Sequence, residues 1–315
     1  MDTGSIFVVG SFVAACSVTV ERLPRAGETL RASSFVLDPG GKGFNVAVGA
    51  HRLGAQVDGV LAVGGDLFGD FASAAVNACG LPRDMLLRLT GPTGAGVGFV
   101  DRHGENCIAV YPAANDLLSA DDIASRADRL SRCAVVAAQF EVGDAPIVAA
   151  FAQARRRGLK TVLNCSPFRA VAPEMLGTTN ILVVNRIEVA ALAKQCGVAI
   201  DAGIPASWGE LADHLRERGV QSLIVTLGAE GVVAREGEGA PVFRPAFAIE
   251  AVDTIGAGDA FLGGLLAALA QGLPMAEGLR WGAACGALVA SRAGVLDALP
   301  DRVQLGKFLD RHPST

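Results

Sequence analysis

Aromatic side chains, paired cysteines, excess basic charge and long membrane-type apolar runs are all scarce or missing in this chain, and each shortage excludes a class of protein. Its 27 Lys and Arg stand against 32 Asp and Glu, giving a net charge of −5. There is therefore no basic footprint for a nucleic-acid backbone, and no nucleic-acid partner is expected. The seven cysteines, at 16, 79, 107, 133, 165, 196 and 285, are odd in number and contain no Cys-x-x-Cys pair. They read as reduced thiols, which implies a cytoplasmic protein. Residues 260–276 are uncharged but hold Gln271 and Pro274, and residues 3–20 follow Asp2 where a signal peptide would be basic. No membrane partner or targeting segment is expected from either stretch. Nor is there a Gly-x-x-x-x-Gly-Lys-Ser/Thr phosphate loop anywhere in the sequence.

What is present is an apolar, small-residue chain. Hydrophobic residues make up 51% and aromatics only 5% of 315 residues, so the core is filled mainly by Ala, Val and Leu. That length suits one α/β domain over residues 1–315. Residues 6–10 read as a buried strand, and 16–36 alternate apolar and polar positions about a turn at 24–27, as a β-ribbon does. A loop at 38–43 opens a helix over 44–53, followed by a strand at 57–63, a helix at 67–79 and a strand at 85–89. A second ribbon pairs 94–101 with 106–111 across a turn at 102–105. Regular alternation then begins: a helix from Ser119 to Arg132, a strand at 134–139, a helix at 145–158, and strands at 161–164 and 180–184. A helix from Arg186, a helix at 208–219 and strands at 222–226, 232–234 and 242–248 lead to the C-terminal region. This order predicts a mostly parallel sheet between helix layers, with ligands at the C-terminal ends of its strands.

Residues 253–259, Asp-Thr-Ile-Gly-Ala-Gly-Asp, join a short apolar stretch at 249–252, read as closing a strand, to helical runs at 260–270 and 275–292. The first N–H groups of such a helix lack partners, and Gly256 and Gly258 place no side chain over them, so an anion can approach the positive end of the dipole. Asp259 sits at the mouth of the same turn, where a carboxylate can take a proton from an attacking hydroxyl. By themselves, these residues are equally consistent with ordinary helix capping.

Gly-Gly-Lys-Gly-Phe-Asn at 40–45, read together with 253–259, changes that balance. The two segments resemble the paired signatures of the PfkB, or ribokinase-like, family of carbohydrate kinases. The resemblance runs through Gly10-Ser11, 24–29, Gly54, 64–66, Asn164, Asn185 to Glu188 and Thr226 to Gly228. It implies a three-layer α/β sandwich with a central mostly parallel sheet and a small β-sheet lid, the lid coming from about 12–38 and 93–115. It also implies γ-phosphoryl transfer from ATP to a sugar hydroxyl, with Asp259 as base and the amides of Gly256, Ala257 and Gly258 as the anion hole. Gly41, Lys42, Asn45 and Glu141 then correspond to sugar contacts. Asn185, Glu188, Thr226 and Gly228 correspond to the nucleotide site, with Glu188 near Mg²⁺, partly through water. Asp253 and the Ile255 carbonyl correspond to part of a K⁺ site. A homodimer through the lids is the expected assembly, with a sugar or a nucleoside as the small-molecule substrate.

Several of these residues also have plainer readings. Asn185 and Glu188 match a capping box, Thr226 and Gly228 a simple turn, and Glu141 a solvated strand-end acid. One departure bears on the substrate. Ribokinases usually read Gly-Ser-x-Asn-x-Asp at the end of the first strand, and here those two polar positions are Val13 and Ala15. Losing a charged acceptor of two hydroxyls weakens ribose binding by about 3–6 kcal/mol, roughly a hundredfold or more. Phe12, Val13, Ala15, Cys16 and Phe44 give that wall an apolar character, unless they pack the lid instead. Arg22, Arg25, Arg31, Arg102 and His103 on the ribbons suit either a phosphorylated sugar or a solvated face.

Overall fold

The computed structural model describes residues 4–103 and 106–313. Its strands are β1 (Ser5–Ser11), β2 (Val13–Thr19), β3 (Ser34–Gly40), β4 (Gln56–Val63), β5 (Leu86–Arg88), β6 (Ala95–Val100), β7 (Asn106–Tyr111), β8 (Val135–Gln139), β9 (Lys160–Asn164), β10 (Ile181–Asn185), β11 (Ser222–Thr226), β12 (Gly231–Glu236) and β13 (Val242–Pro245). Its helices are α1 (Lys42–Arg52), α2 (Leu67–Ala78), α3 (Ala114–Leu117), α4 (Ala120–Ala124), α5 (Ala127–Ser131), α6 (Asp144–Arg156), α7 (Pro173–Thr178), α8 (Arg186–Cys196), α9 (Gly209–Arg216), α10 (Ala257–Ala270), α11 (Met275–Ala290) and α12 (Arg302–Arg311).

Nine strands form one sheet in the order β13-β12-β11-β10-β9-β8-β1-β4-β5, parallel from β11 to β5 and antiparallel at β12 and β13. Successive side chains of a strand point to opposite faces, so a sheet covered on both sides needs apolar runs rather than alternation. Ile6, Val8, Val135, Ala137 and Val183 pack against α1, α10 and α11. Phe7, Val9, Val136, Ala138 and Leu182 pack against α6 and the helices of the opposite layer. The result is the expected three-layer sandwich.

The two ribbons pair with each other to form a second sheet, ordered β3-β2-β6-β7. The chain crosses between body and small sheet four times, after β1, before α1, before β6 and after β7. The expected turn at 102–105 includes two residues outside the described set. Asp66 anchors one crossing: it caps α2 through Gly69 N–H and accepts from Thr93 N–H and Oγ. Burial alone would raise its carboxyl, but these hydrogen bonds outweigh that and hold it below the usual range.

Several boundaries differ from the sequence expectation. Residues 249–252 are not a strand; Val252 is exposed, and the N–H groups of Val252 and Asp253 both donate to the Ala290 carbonyl at the end of α11. The helix expected from Ser119 to Arg132 is two short helices, α4 and α5, the first capped at its N-terminus by a Ser119–Asp122 capping box. Met85 ends a 3-10 turn before β5, and Trp208 ends another before α9.

Helix α10 is apolar on all sides because it is buried on all sides. It crosses α11 at Gly264, where an added Cβ would lie 2.8 Å from the Trp281 carbonyl and 3.0 Å from Gly282 Cα. Both neighbours are backbone and cannot move aside cheaply. Gly264→Ala is expected to lower stability by about 1–3 kcal/mol in urea unfolding, although Ala is the better helix former by about 1 kcal/mol.

Candidate functional site

The C-terminal ends of β1, β8, β9, β10 and β11 lie along one edge of the large sheet, and the sequence-predicted residues gather there. At the end of β1, Gly10 and Gly43 let the N-terminus of α1 touch the strand; a Cβ on Gly10 would lie 2.4 Å from Gly43 Cα. That contact sets Lys42 and Asn45 over the sheet edge. The start of α10 arrives from the other side, bringing Asp259.

Asp259 is 5% exposed. Its Oδ2 accepts a hydrogen bond of 2.8 Å from Asn45 Nδ2, and its Oδ1 lies 3.6 Å from Lys42 Nζ. The Asp259 charge raises the Lys42 pKa above its ordinary value, with smaller contributions from Glu141 and Glu188 opposing the effect of burial. Lys42 therefore stays cationic throughout the physiological range. Asn45 Oδ1 is buried and makes no hydrogen bond among the described residues, leaving a spare acceptor on the side chain that holds Asp259.

Gly256 caps α10 with φ 78°, and a Cβ there would meet Val295 Cγ1 at 2.5 Å, so only glycine fits. A Cβ on Gly258 would meet nothing within 4 Å. The N–H of Ala257 donates to the Thr254 carbonyl at 3.2 Å, whereas those of Gly256 and Gly258 have no backbone carbonyl partner among the described residues. Two amides without a backbone partner and the helix dipole thus lie beside a buried carboxylate, with open space at Gly258.

Glu141 is half-buried rather than a solvated strand-end acid. Its Oε2 accepts 2.5 Å from Ser11 Oγ and 2.8 Å from Lys42 N–H, tying β1, the loop after β8 and α1 together. The role of Ser11 in that tie was not expected from sequence, because its partner lies 130 positions away. Asn185 and Glu188 do form a capping box on α8: the Asn185 side chain accepts from Ile187 and Glu188 N–H, and Glu188 accepts from Asn185 N–H. Thr226 and Gly228 border a cavity of about 430 Å³ that runs past Phe247 and Ala287 to Thr254 and Gly258. Asp253 accepts from the Ile255 N–H at 2.9 Å, which shapes the loop before α10.

Other expectations change. Phe12 and Phe44 are fully buried and stack edge-to-face at 5.3 Å, so they pack the body instead of lining a cleft. Arg22 pairs with Glu28, and Arg102 with Glu21, as a solvated face does. Ala15 lies directly across from Asp38 in the small sheet. Cross-strand partners share a face, so a carboxylate stands beside the position that lacks one. Only the strand register reveals this.

A buried acid, a fixed cation and open helix amides beside an apolar cavity suit phosphoryl transfer to a hydroxyl, in an α/β kinase that lacks a P-loop. The chain belongs to the pfkB family of carbohydrate kinases, whose model matches residues 3–302. It is 34% identical to the ribokinase of Mus musculus over 84% of this chain and 81% of that protein. It is 31% identical to the deoxyribokinase of Salmonella typhi over 82% and 83% of the two chains. The structure of Arabidopsis thaliana ribokinase complexed with ribose and ATP superposes with a TM-score of 0.87 at 26% identity, covering 98% of this chain and 99% of that one.

Burial raises the Glu188 pKa above 4.5, against the hydrogen bonds and the Lys42 charge that oppose it. A carboxyl whose folded pKa is raised costs no stability below its unfolded pKa, costs progressively more as pH rises from the unfolded to the folded value, and costs its full amount above that. Glu188→Gln keeps an acceptor for Asn185 and removes the charge. Its Tm is expected to exceed that of the parent at pH 7–8, with the difference shrinking toward zero near pH 4, in thermal scans across that range.

Proposed function

We propose that the protein transfers the γ-phosphoryl group of ATP to a hydroxyl of a pentose-class sugar, with Asp259 as the base. The observation that carries this reading is the burial of Asp259 between Asn45 and Lys42 in the first turn of α10, next to open amides. The acceptor hydroxyl passes its proton to Asp259 as its oxygen bonds to the γ-phosphorus; the bond to the β,γ-bridging oxygen breaks, and ADP leaves. Gly256 and Gly258 N–H groups meet the negative charge on the transferring group, and Ala257 joins them once it releases Thr254. Gly41, Lys42, Asn45 and Glu141 hold the sugar, while Thr226 and Gly228 border the nucleotide.

Asn185 and Glu188 would hold Mg²⁺ through water. Among the described residues no cluster of three or more His, Cys, Asp or Glu forms a metal cage, and one buried carboxylate beside the phosphates fits an ion that keeps most of its hydration. When bound, Mg²⁺ supplies charge neutralisation on the phosphates. Asp253 and the Ile255 carbonyl would hold a monovalent cation. The seven free thiols support a cytoplasmic setting. Residues 1–315 act as one catalytic unit, with the small sheet as its lid. Exposed Phe35, Leu37, Val97 and Tyr111 share one face of that sheet, which supports a homodimer through the lids.

The apolar Val13 and Ala15 favour a second reading, a nucleoside acceptor, but Asp38 beside Ala15 supports the sugar by supplying an acceptor for its hydroxyls. An ATP-consumption assay over pentoses, hexoses, phosphosugars and nucleosides, run in K⁺ and in Na⁺, decides between them. Turnover on pentoses is expected; silence on the whole panel with ligand-induced thermal stabilisation retained would point to a sugar-binding relative without activity.

Two variants test the assigned roles. Asp259→Asn should retain the parent's Tm within a few degrees and lose about a thousandfold or more in kcat; a turning-over Asn variant removes Asp259 as the base. Asp38→Ala should raise the KM for ribose about tenfold or more, the loss expected of a hydrogen bond to a charged group, and Ala15→Asp in that background should restore it. An unchanged KM in Asp38→Ala shows that the carboxylate does not reach the sugar.

A further inference from the structure

Three of the four crossings between body and small sheet meet at one side chain that no catalytic role explains. Asn115 is 1% exposed. Its Oδ1 accepts from Phe12 N–H at 3.1 Å, and its Nδ2 donates to the carbonyls of Phe12 and Pro112, each at 2.9 Å. Both amide protons and one acceptor lobe are thereby used within the knot. Gly94, at the third crossing, lies so close that a Cβ on it would sit 2.4 Å from Asn115 Nδ2 and 2.8 Å from the Phe12 carbonyl. Its own carbonyl accepts from Ala14 N–H. Even the remaining crossing, before α1, touches the knot, because a Cβ on Gly41 would lie 3.0 Å from Phe12 Cα.

The knot is anchored and strained. The Phe12 ring is fully buried and stacks on Phe44 of α1 and Phe71 of α2. Ala113, between Pro112 and α3, has φ 48° and ψ −118°, a conformation suited to glycine, in a turn closed by Asn115 N–H to the Pro112 carbonyl. Such geometry persists only where surrounding contacts enforce it, and here the Asn115 side chain is one of those contacts.

We propose that Asn115 is a positioning residue that fixes the pivot of the small sheet and couples it to the phosphoryl-transfer centre. Phe12 directly follows Ser11, which bonds Glu141, and Gly41 directly precedes Lys42, which pairs with Asp259. A shift at the knot therefore moves both sides of the acceptor site together. The knot holds the base of the sheet while the strands beyond it, open on both faces, swing over the acceptor and exclude water. The inference rests on the sugar-kinase reading given above.

Asn115→Asp keeps the acceptor for Phe12 N–H, removes both donated bonds and sets a charge against two carbonyls. The expected result is a KM for the acceptor raised about tenfold or more, a KM for ATP within about twofold, and more ATP hydrolysed per phosphoryl group transferred. Val136→Ala, a cavity variant in the layer facing away from the site, serves as the stability control. If the two variants show the same acceptor KM and the same hydrolysis-to-transfer ratio at matched loss of Tm, Asn115 is merely structural and the proposal fails. Hydrogen exchange of the unligated parent protein provides an arm that needs neither turnover nor a folded variant. Amides of Phe12, Ala14, Ala114 and Asn115 should be protected about tenfold or more above those of β6 and β7; equal or lower protection overturns the pivot. A parent protein silent on the whole acceptor panel refutes the kinase reading, while the exchange result still judges the knot.

Discussion

The hydrogen bond from Asn45 to Asp259 joins the first turns of two helices 214 residues apart, and much of the large sheet's edge is arranged around keeping that distance. For the two N-termini to meet, α1 must lie against the end of β1, which Gly10 and Gly43 permit by having no side chains between them. Helix α10 must run through the centre of the molecule, which its small apolar residues permit on every side. Both helices point their positive ends at the same place. That convergence favours negative charge there twice over, once for the protein's own carboxylate and once for an approaching phosphoryl group.

Such a site is held in place by burial and fixed charge. Asp259, Lys42, Glu141 and Glu188 lie within one electrostatic neighbourhood, so three carboxylates share a single ammonium. The outer acids are compensated differently: Glu141 by Ser11 and an amide, Glu188 by a cap amide. Lys42 is thus directed mainly at Asp259, whose charge has the largest effect on it. Under the proposed reading, the groups are oriented before any ligand arrives, so little reorganisation is required when charge develops on the transferring group.

The three layers and the small sheet were legible because apolar runs and alternation differ in period, and because Gly40 to Asn45 and Asp253 to Asp259 carry a motif too long for chance. Side-chain partners over long separations were not. Ser11 and Glu141, or Ala15 and Asp38, become neighbours only through register and strand order, which local periodicity does not encode. Residues 249–252 misled because their apolar content resembles a strand, while the amides of Val252 and the following Asp253 are taken by the end of α11. Asn185 and Glu188 show the converse: capping and ligand chemistry need the same groups at a helix N-terminus, so spacing alone cannot separate the two.

The small sheet obeys a different rule from the body. Phe35, Leu37, Val97 and Tyr111 are exposed on one face, and Val36, Ile108 and Val110 on the other. An isolated four-stranded sheet with apolar side chains on both faces gains little from burial and relies on whatever covers it. Under the proposed reading, a second copy covers one face and the acceptor the other, so the sheet is fully packed only when dimer and substrate are both in place. The rigidity that phosphoryl transfer needs is therefore placed in the body, at the two helix ends. The freedom that substrate entry needs is left to a sheet held by its four crossings, and Asn115 sits where three of them meet.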